Sequence, residues 1–319
     1  MTYSTGGLIQ AADYNTFATG TAGGTPDPNV ANINTLWGVG VGDKGWGQTE
    51  LTAVSAGATV TATQWASMFS AFTSGAAQTN TTVTAITNPV VGNTIDVKTN
   101  FSSNLSTIFT NRNNAAAVGS TISASGDLVR STSWATSLTA THTVTFASAN
   151  AMRYFFNAGG RITWAATRTG GAATDINTSW SNLLTACGTL NWTTGTTTQT
   201  IAGSSYTGTT KVGGSGTPTT LLTGTGFYDF TTGNQEVFKQ FSTAYLYDGN
   251  NVTVNVQLNA SPGSSTVMTI TVVYTDAASE AEDTVDGTLT SSVRAIAPST
   301  SNLSASWGTP ALGGSITGS

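Results

Sequence analysis

Apolar and polar positions along this chain follow two different periods. Up to Arg112 the apolar residues recur three and four apart, the spacing that lines one face of a helix. Tyr14 and Phe17 do so in the stretch Leu8–Phe17, and Trp65, Met68, Phe69 and Phe72 do so after Val60. Phe101, Leu105, Ile108 and Phe109 make a further stripe on a longer helix that ends near Arg112. Between them, Val30, Ile33, Leu36 and Trp37 predict a short helix with Asn29 as its N-cap and Gly38 as its stop. Ile9/Val60, Ala11/Ala62, Tyr14/Trp65 and Phe17/Met68 correspond, a weak internal repeat of one helical unit.

Beyond Asn113–Gly119 the period becomes two. Leu138, Ala140, His142, Val144 and Phe146 share one face of a strand, with Thr139, Thr141, Thr143 and Thr145 on the other. Val252–Leu258 and Met268–Tyr274 alternate in the same way, and the turn Ser261-Pro262-Gly263-Ser264 between them predicts a hairpin. From Thr143 to Trp164 the pattern reads as strand, aromatic helix (Tyr154, Phe155, Phe156), the pair Gly159-Gly160 with its freedom at positive φ, and a returning strand. A second inserted helix is capped near Asp175 or Asn177 and closed by Gly188, with Ile176, Trp180, Leu183, Leu184 and Cys187 on one stripe. Val285–Ala295 supplies a late strand.

The expectation is an α+β protein: a small helix-containing domain over 1–115, then a mainly antiparallel β-sandwich over 120–297 with about seven to nine strands and one or two inserted helices. A Ser/Thr/Gly-rich tail over 298–319 is expected to be loosely held.

Composition sharpens this. Only 8% of the 319 residues are charged, against roughly 25% in an ordinary soluble domain, so Thr, Ser, Asn and Gln must supply the polar surface. Such a surface suits strands and gives up the repulsion that keeps free monomers apart, a trade that subunits of large assemblies tolerate. The formal charge of −5, with ten dispersed Lys and Arg, argues against nucleic-acid binding. Met-Thr-Tyr-Ser-Thr-Gly-Gly has neither the basic nor the apolar region of a secretion signal, and no run reaches the roughly 18 apolar residues of a membrane span. The expectation is a chain made and folded in the cytosol, with no membrane insertion.

Candidate chemistry is thin. The single cysteine excludes an intrachain disulfide and a Cys-rich metal site, and Cys187 reads as a core thiol. His142, the sole histidine, lies on an apolar strand face and reads as a core or interface imidazole. Gly38–Gln48 lacks the Walker spacing and reads as an ordered surface loop pinned by Trp46. Asp276, Glu280, Glu282, Asp283 and Asp286 form an acidic stretch without EF-hand spacing, so a solvated loop is set against a cation site. A glycan-cleaving pair of carboxylates has no pointer in the sequence. Trp134, Trp164, Trp180, Trp192, Phe227, Tyr228, Phe230, Tyr245 and Tyr247 are set between a sandwich core and a sugar-binding surface. No catalytic, cofactor or metal residues are assigned; Trp46, Tyr154, Phe155, Phe156 and Trp164 are the candidates for packing or interaction.

Leu8–Asn15, Gly42–Gln48 and Val60–Trp65, followed by Arg153–Gly160, Asn177–Trp180, Phe227–Phe230 and Val285–Leu289, resemble a group of tailed-phage virion proteins common in phages of marine cyanobacteria. The chain departs from that group in its low charge and in Tyr154, where a histidine is expected. The resemblance implies a non-enzymatic virion component, tail-fibre-like or fibre-associated, assembled in the host cytoplasm. Its partners would be other copies of itself and other virion proteins. Capsid decoration, a neck or collar fibre, and a receptor-binding module for host surface polysaccharide are the alternatives.

Overall fold

The computed structural model describes residues 10–86, 98–277 and 284–318. The protein is α+β, with two antiparallel sheets packed as a sandwich. Four helices come first: α1 (Ala11–Thr19), α2 (Ile33–Trp37), α3 (Ala62–Gln78) and α4 (Lys98–Thr110). Then follow β1 (Val118–Ile122), β2 (Asp127–Arg130), β3 (Ser137–Thr145), α5 (Ala149–Asn157), β4 (Arg161–Thr169) and α6 (Asp175–Cys187). Short strands succeed them: β5 (Thr189–Trp192), β6 (Gln199–Ile201), β7 (Ser204–Tyr206), β8 (Thr209–Val212) and β9 (Thr220–Leu221). The chain closes with β10 (Gln235–Phe241), β11 (Asn251–Leu258), β12 (Val267–Thr275), β13 (Thr288–Pro298) and β14 (Ala311–Gly318).

The helix termini follow local chemistry. Thr61 accepts from Gln64 N while Gln64 reaches back to Thr61 N, a capping box that starts α3. The cap of α2 is Asn32, which accepts from Thr35 N at 2.8 Å, and not Asn29. Asn29 instead takes Asp27 Oδ1 on its own N–H, and Val30 is 42% exposed, outside the helical stripe. An Asn three residues before a free N–H is the stronger cap because its side chain reaches an amide the helix leaves unpaired.

One sheet runs β1-β13-β4-β5-β8, with β2 also on β13; the other runs β14-β3-β12-β11-β10-β9; β6 and β7 form a separate hairpin. The fourteen strands among the described residues exceed the seven to nine expected, because β5 to β9 are two to four residues long, too short to show a period. The β11–β12 hairpin pairs in register from Asn251↔Thr275 to Leu258↔Met268. Its turn closes through Ser264 N to Ser261 O at 2.8 Å.

β3 and β4 lie in different sheets, so α5 with its glycine pair is the corner that carries the chain across the sandwich. Only Gly159 uses positive φ, at +93°. Gly160 is needed for space: a Cβ there would stand 2.6 Å from Phe155 O and 2.7 Å from the Phe155 ring. α6 packs on β4 of one sheet and on β10 and β11 of the other, burying Ile176, Trp180, Leu183, Leu184 and Cys187. Trp180 meets Trp134 edge-on at 4.8 Å.

A single cluster of buried side chains runs from Tyr14 in α1 through Trp46, Phe156 and Val254 to Leu312 in β14. The stretch 113–119 is held at several points: Ala116 N donates to Gln78 O, Ala115 N to Thr200 O, and Ala202 N to Ala115 O. The segment after Pro298 is a correction to the expected loose tail. Leu303 and Trp307 are buried, and Ala311–Gly318 pairs along the length of β3. Ser, Thr and Gly suit an edge strand as well as a free tail, and two apolar anchors decide between them.

Candidate functional site

The glycine-rich loop Gly38–Gln48 lies against the corner helix α5. Arg153 and Asn157 stand four apart and therefore share one helix face. Arg153 Nε donates to Gly42 O at 3.3 Å, Nη2 to Val39 O at 3.2 Å and Lys44 O at 3.1 Å, and Nη1 to Asn150 Oδ1 at 2.7 Å. Asn157 Nδ2 donates to the carbonyls of Gly42, Lys44 and Gly45 at 3.1–3.2 Å. The Tyr228 hydroxyl stands 2.6 Å from Gly42 O and 2.7 Å from Asn157 Oδ1, sharing its proton between them; burial raises its pKa.

The loop thus turns carbonyls inward, around a buried guanidinium and an amide. A phosphate loop would turn N–H groups inward, so this one is built to hold the protein's own cation. Trp46 locks it: the ring is 1% exposed, lies edge-on to Trp37 at 6.4 Å, and donates from Nε1 to Asn157 O at 3.1 Å. Gly47, at φ +68°, keeps the following turn clear, since a Cβ there would collide with the Tyr154 ring. The segment after β13 completes the seat. Gln48 exchanges hydrogen bonds with Ser304 O and N at 2.9 and 2.8 Å, and Ser306 Oγ donates to Trp46 O at 2.6 Å.

Segments far apart in sequence meet here. Phe156 stacks on Phe227 at 4.5 Å and 11°, and Phe155 meets Phe146 edge-on at 5.2 Å. Of the five candidate residues, Trp46, Tyr154, Phe155 and Phe156 belong to this junction, and all are buried. Trp164 does not: it lies between the sheets, where its Nε1 donates to Ser291 Oγ at 3.0 Å. Sequence reasoning missed Arg153 and Asn157 and weighed Tyr228 only as a core or sugar-binding ring; the i, i+4 spacing of the first two opposite a glycine-rich loop was the available signal.

Beside the junction opens a cavity of about 280 Å³, lined by Asp43, Asn113, Thr194, Thr197, Tyr228 and Asp229. Asp43 is paired with Arg112, and Asp229 accepts from Gly226 N at 3.0 Å. A second groove, of about 540 Å³, runs between α3 and the stretch Thr49–Thr52.

Other candidates resolve into packing. His142 is fully buried, and burial lowers its pKa to about 4, with Asp127 opposing and Arg294 adding to the shift. Its Nε2 lies 2.8 Å from Ser291 Oγ, bridging the two sheets. Burial pushes the Cys187 thiol up to about 12, so it stays protonated and inert. Of the aromatic residues weighed as a sugar platform, only Tyr228, half-buried, and Tyr245, 88% exposed, reach solvent; the others fill the core.

Glu280, Glu282 and Asp283 lie outside the described residues. Asp286 holds the start of α6: it accepts from Ala172 N, Asn177 Nδ2 and Arg168 Nη2, and these bonds, the backbone one foremost, keep its carboxyl below the usual range. Among the described residues no group of three or more His, Cys, Asp or Glu side chains is placed to hold a metal, and no helix is long and apolar enough to cross a membrane.

The outer face of the second sheet is uncharged over four of its strands, up to β10, where Lys239 and Glu236 stand opposite Thr253 and Asn255. Thr139, Thr141 and Thr143 of β3 stand opposite Val273, Thr271 and Thr269 of β12, which face Thr253, Asn255 and Gln257 of β11. Thr317, Ser315 and Gly313 of β14 extend the same rows on the other side. No Lys, Arg, Asp or Glu occurs in β14, β3, β12 or β11.

Tyr228→Phe tests the cradle without opening a cavity. The loss of the bonds to Gly42 O and Asn157 Oδ1 is expected to cost about 1–2 kcal/mol in thermal or denaturant unfolding. A variant as stable as the parent would show that the hydroxyl is not needed.

No protein-family model, curated protein or solved structure matches this chain.

Proposed function

We propose that this chain is a non-enzymatic structural component of a tailed-phage virion, a tail-fibre-like or fibre-associated subunit that assembles as a homo-oligomer. The observation that carries the proposal is the outer face of the β14-to-β11 sheet, four strands of Thr, Ser, Asn and Gln rows without one ionised side chain. A free monomer gains solubility from surface charge, and a subunit buried against neighbours loses energy by it. The groups that chemistry would recruit have structural work instead: His142 ties sheet to sheet, Asp286 holds α6, and Arg153 holds the loop. The virion as the setting rests on the sequence resemblance, whose quoted stretches Gly42–Gln48, Arg153–Gly160 and Phe227–Phe230 pack on one another. Capsid decoration and a neck or collar fibre satisfy the same observation.

Mass spectrometry of purified particles is expected to find the chain at a stoichiometry of several copies per particle. Its absence from intact particles would remove the proposal.

A second reading, a module for host surface polysaccharide, is favoured by the cavity of about 280 Å³, where Asp43, Asn113 and Asp229 surround the half-buried Tyr228. Carboxylates and an amide suit vicinal hydroxyls, and the volume is near the lower end of small-ligand sites, about 300 Å³. Glycan arrays decide it: binding that Asp229→Ala abolishes supports this reading, and no binding to any array glycan rejects it.

A further inference from the structure

A sandwich exposes the edges of its sheets, and each exposed edge is a row of unpaired backbone donors and acceptors that a protein must blunt to avoid strand addition. Four edges here are blunted. β1 carries a register shift between Val118 and Thr121. β2 carries Asp127 and Arg130, the former paired with Arg294 at 2.7 Å. β8 carries Lys211, whose Nζ donates to the carbonyls of Ser215 and Gly216. β9 is two residues long.

The edge at β14 has none of these devices. It spans eight residues, Ala311–Gly318, with neither charge nor proline. On one side it pairs with β3 from Ala311↔Thr145 to Gly318↔Leu138, and no described strand pairs on the other. β2 and the turn at Gly126 lie beside β14 near Leu312, where the Asp127–Arg294 pair stands, but Gly314, Ser315, Thr317 and Gly318 are exposed. Gly314, at φ +149°, also lets the strand lie close on β3, because a Cβ there would collide with Thr141 O.

We infer that β14 is the seam at which two copies of this chain join, edge to edge and antiparallel, so that the sheet continues from one protomer into the other. The inference deepens the proposed homo-oligomeric role and rests on it. The occupant is a second copy because the edge is compatible with itself: with no ionised side chain along it, every antiparallel register brings two such strands together without like-charge opposition. A foreign strand would be chosen by charges or pockets flanking the edge. The neighbouring outward row Thr139, Thr141 and Thr143 offers neither, whereas a second copy brings the same uncharged row to continue it. Two-fold pairing of this kind closes on itself and yields a dimer.

The test is sedimentation velocity on the full chain and on the double variant Ser315→Lys/Thr317→Lys. Both side chains are exposed on the outward face, so the fold is kept, which circular dichroism and the melting midpoint verify. The parent is expected to sediment as a dimer or an even multiple of it. Four lysines brought to one seam are expected to weaken association by about tenfold or more. Amide exchange across Gly313–Gly318 of the parent should also slow as concentration rises.

A parent that is monomeric at every concentration overturns the inference. So does a variant with the parent's stoichiometry, and in that case the homo-oligomeric reading stands with its seam elsewhere. Neither result bears on whether the chain is present in particles, which mass spectrometry reads separately.

Discussion

Replacing Trp46 with alanine is expected to cost about 3–5 kcal/mol of folding stability, the range for emptying a large aromatic site in a core. The ring is buried between Trp37, the corner helix and the α3 backbone near Gly75, so little around it can collapse into the space. The substitution also withdraws the donor from Asn157 O, at the helix face that holds the loop carbonyls. Chemical denaturation should show the loss, and amide exchange should show faster opening over Gly38–Gln48 than over the β11–β12 hairpin. A cost below about 1 kcal/mol would place Trp46 among tolerant surface sites and refute its role as the lock between loop and corner.

The second large effect is a loss of stability in acid that depends on one residue. His142 has an ordinary pKa of 6.5 in the unfolded chain and about 4 in the fold, because burial penalises the imidazolium. An imidazolium must donate from both ring nitrogens: Nε2 has Ser291 Oγ at 2.8 Å, but Nδ1 has no hydrogen-bond partner among the described residues, so the charged form would bury an unsatisfied N–H. Above pH 6.5 the residue is neutral in both states and stability does not depend on it. Between pH 6.5 and 4 the unfolded chain binds a proton that the folded one refuses, so stability falls with falling pH. The drop from 6.5 to about 4 amounts to about 3 kcal/mol by pH 4. Asp127 and Arg294, paired at the nearby sheet edge, act in opposite senses and leave burial dominant. His142→Gln keeps a polar group beside Ser291 and removes the titration. Urea unfolding at pH 7 and pH 4 should therefore show the parent losing about 3 kcal/mol more than the variant across that interval. Parallel losses would show that the imidazole is not kept neutral.

Both residues stood out in the sequence, but for different reasons. His142 was placed by period alone: an alternating strand admits two faces, and its neighbours Ala140 and Val144 put it on the apolar one. Local pattern likewise determined the β11–β12 hairpin, the stripe of α6 with Cys187, and the strand–helix–strand corner, since each is fixed by residues within about 25 positions of one another. Trp46 was legible only as the pin of a glycine-rich loop. That its partner is Asn157, and that Arg153 and Tyr228 close the cradle, depends on contacts spanning more than 100 residues, for which a single sequence carries no periodic signal.

The segment after Pro298 shows the boundary between the two kinds of knowledge most clearly. Its Ser, Thr and Gly residues are compatible with a free tail and with an edge strand, because neither state demands an apolar period. Local propensity leaves the choice open, and packing makes it: Leu303 and Trp307 find buried places, Gln48 and Ser304 exchange hydrogen bonds, and β3 offers β14 an unpaired ladder. The amino-acid sequence by itself determined the α+β class, the change of period near residue 115 and the uncharged strand faces. The tertiary structure alone decided which loop the corner helix holds, which aromatic residues are core rather than surface, and which sheet edge is left open, because those depend on what meets across the fold.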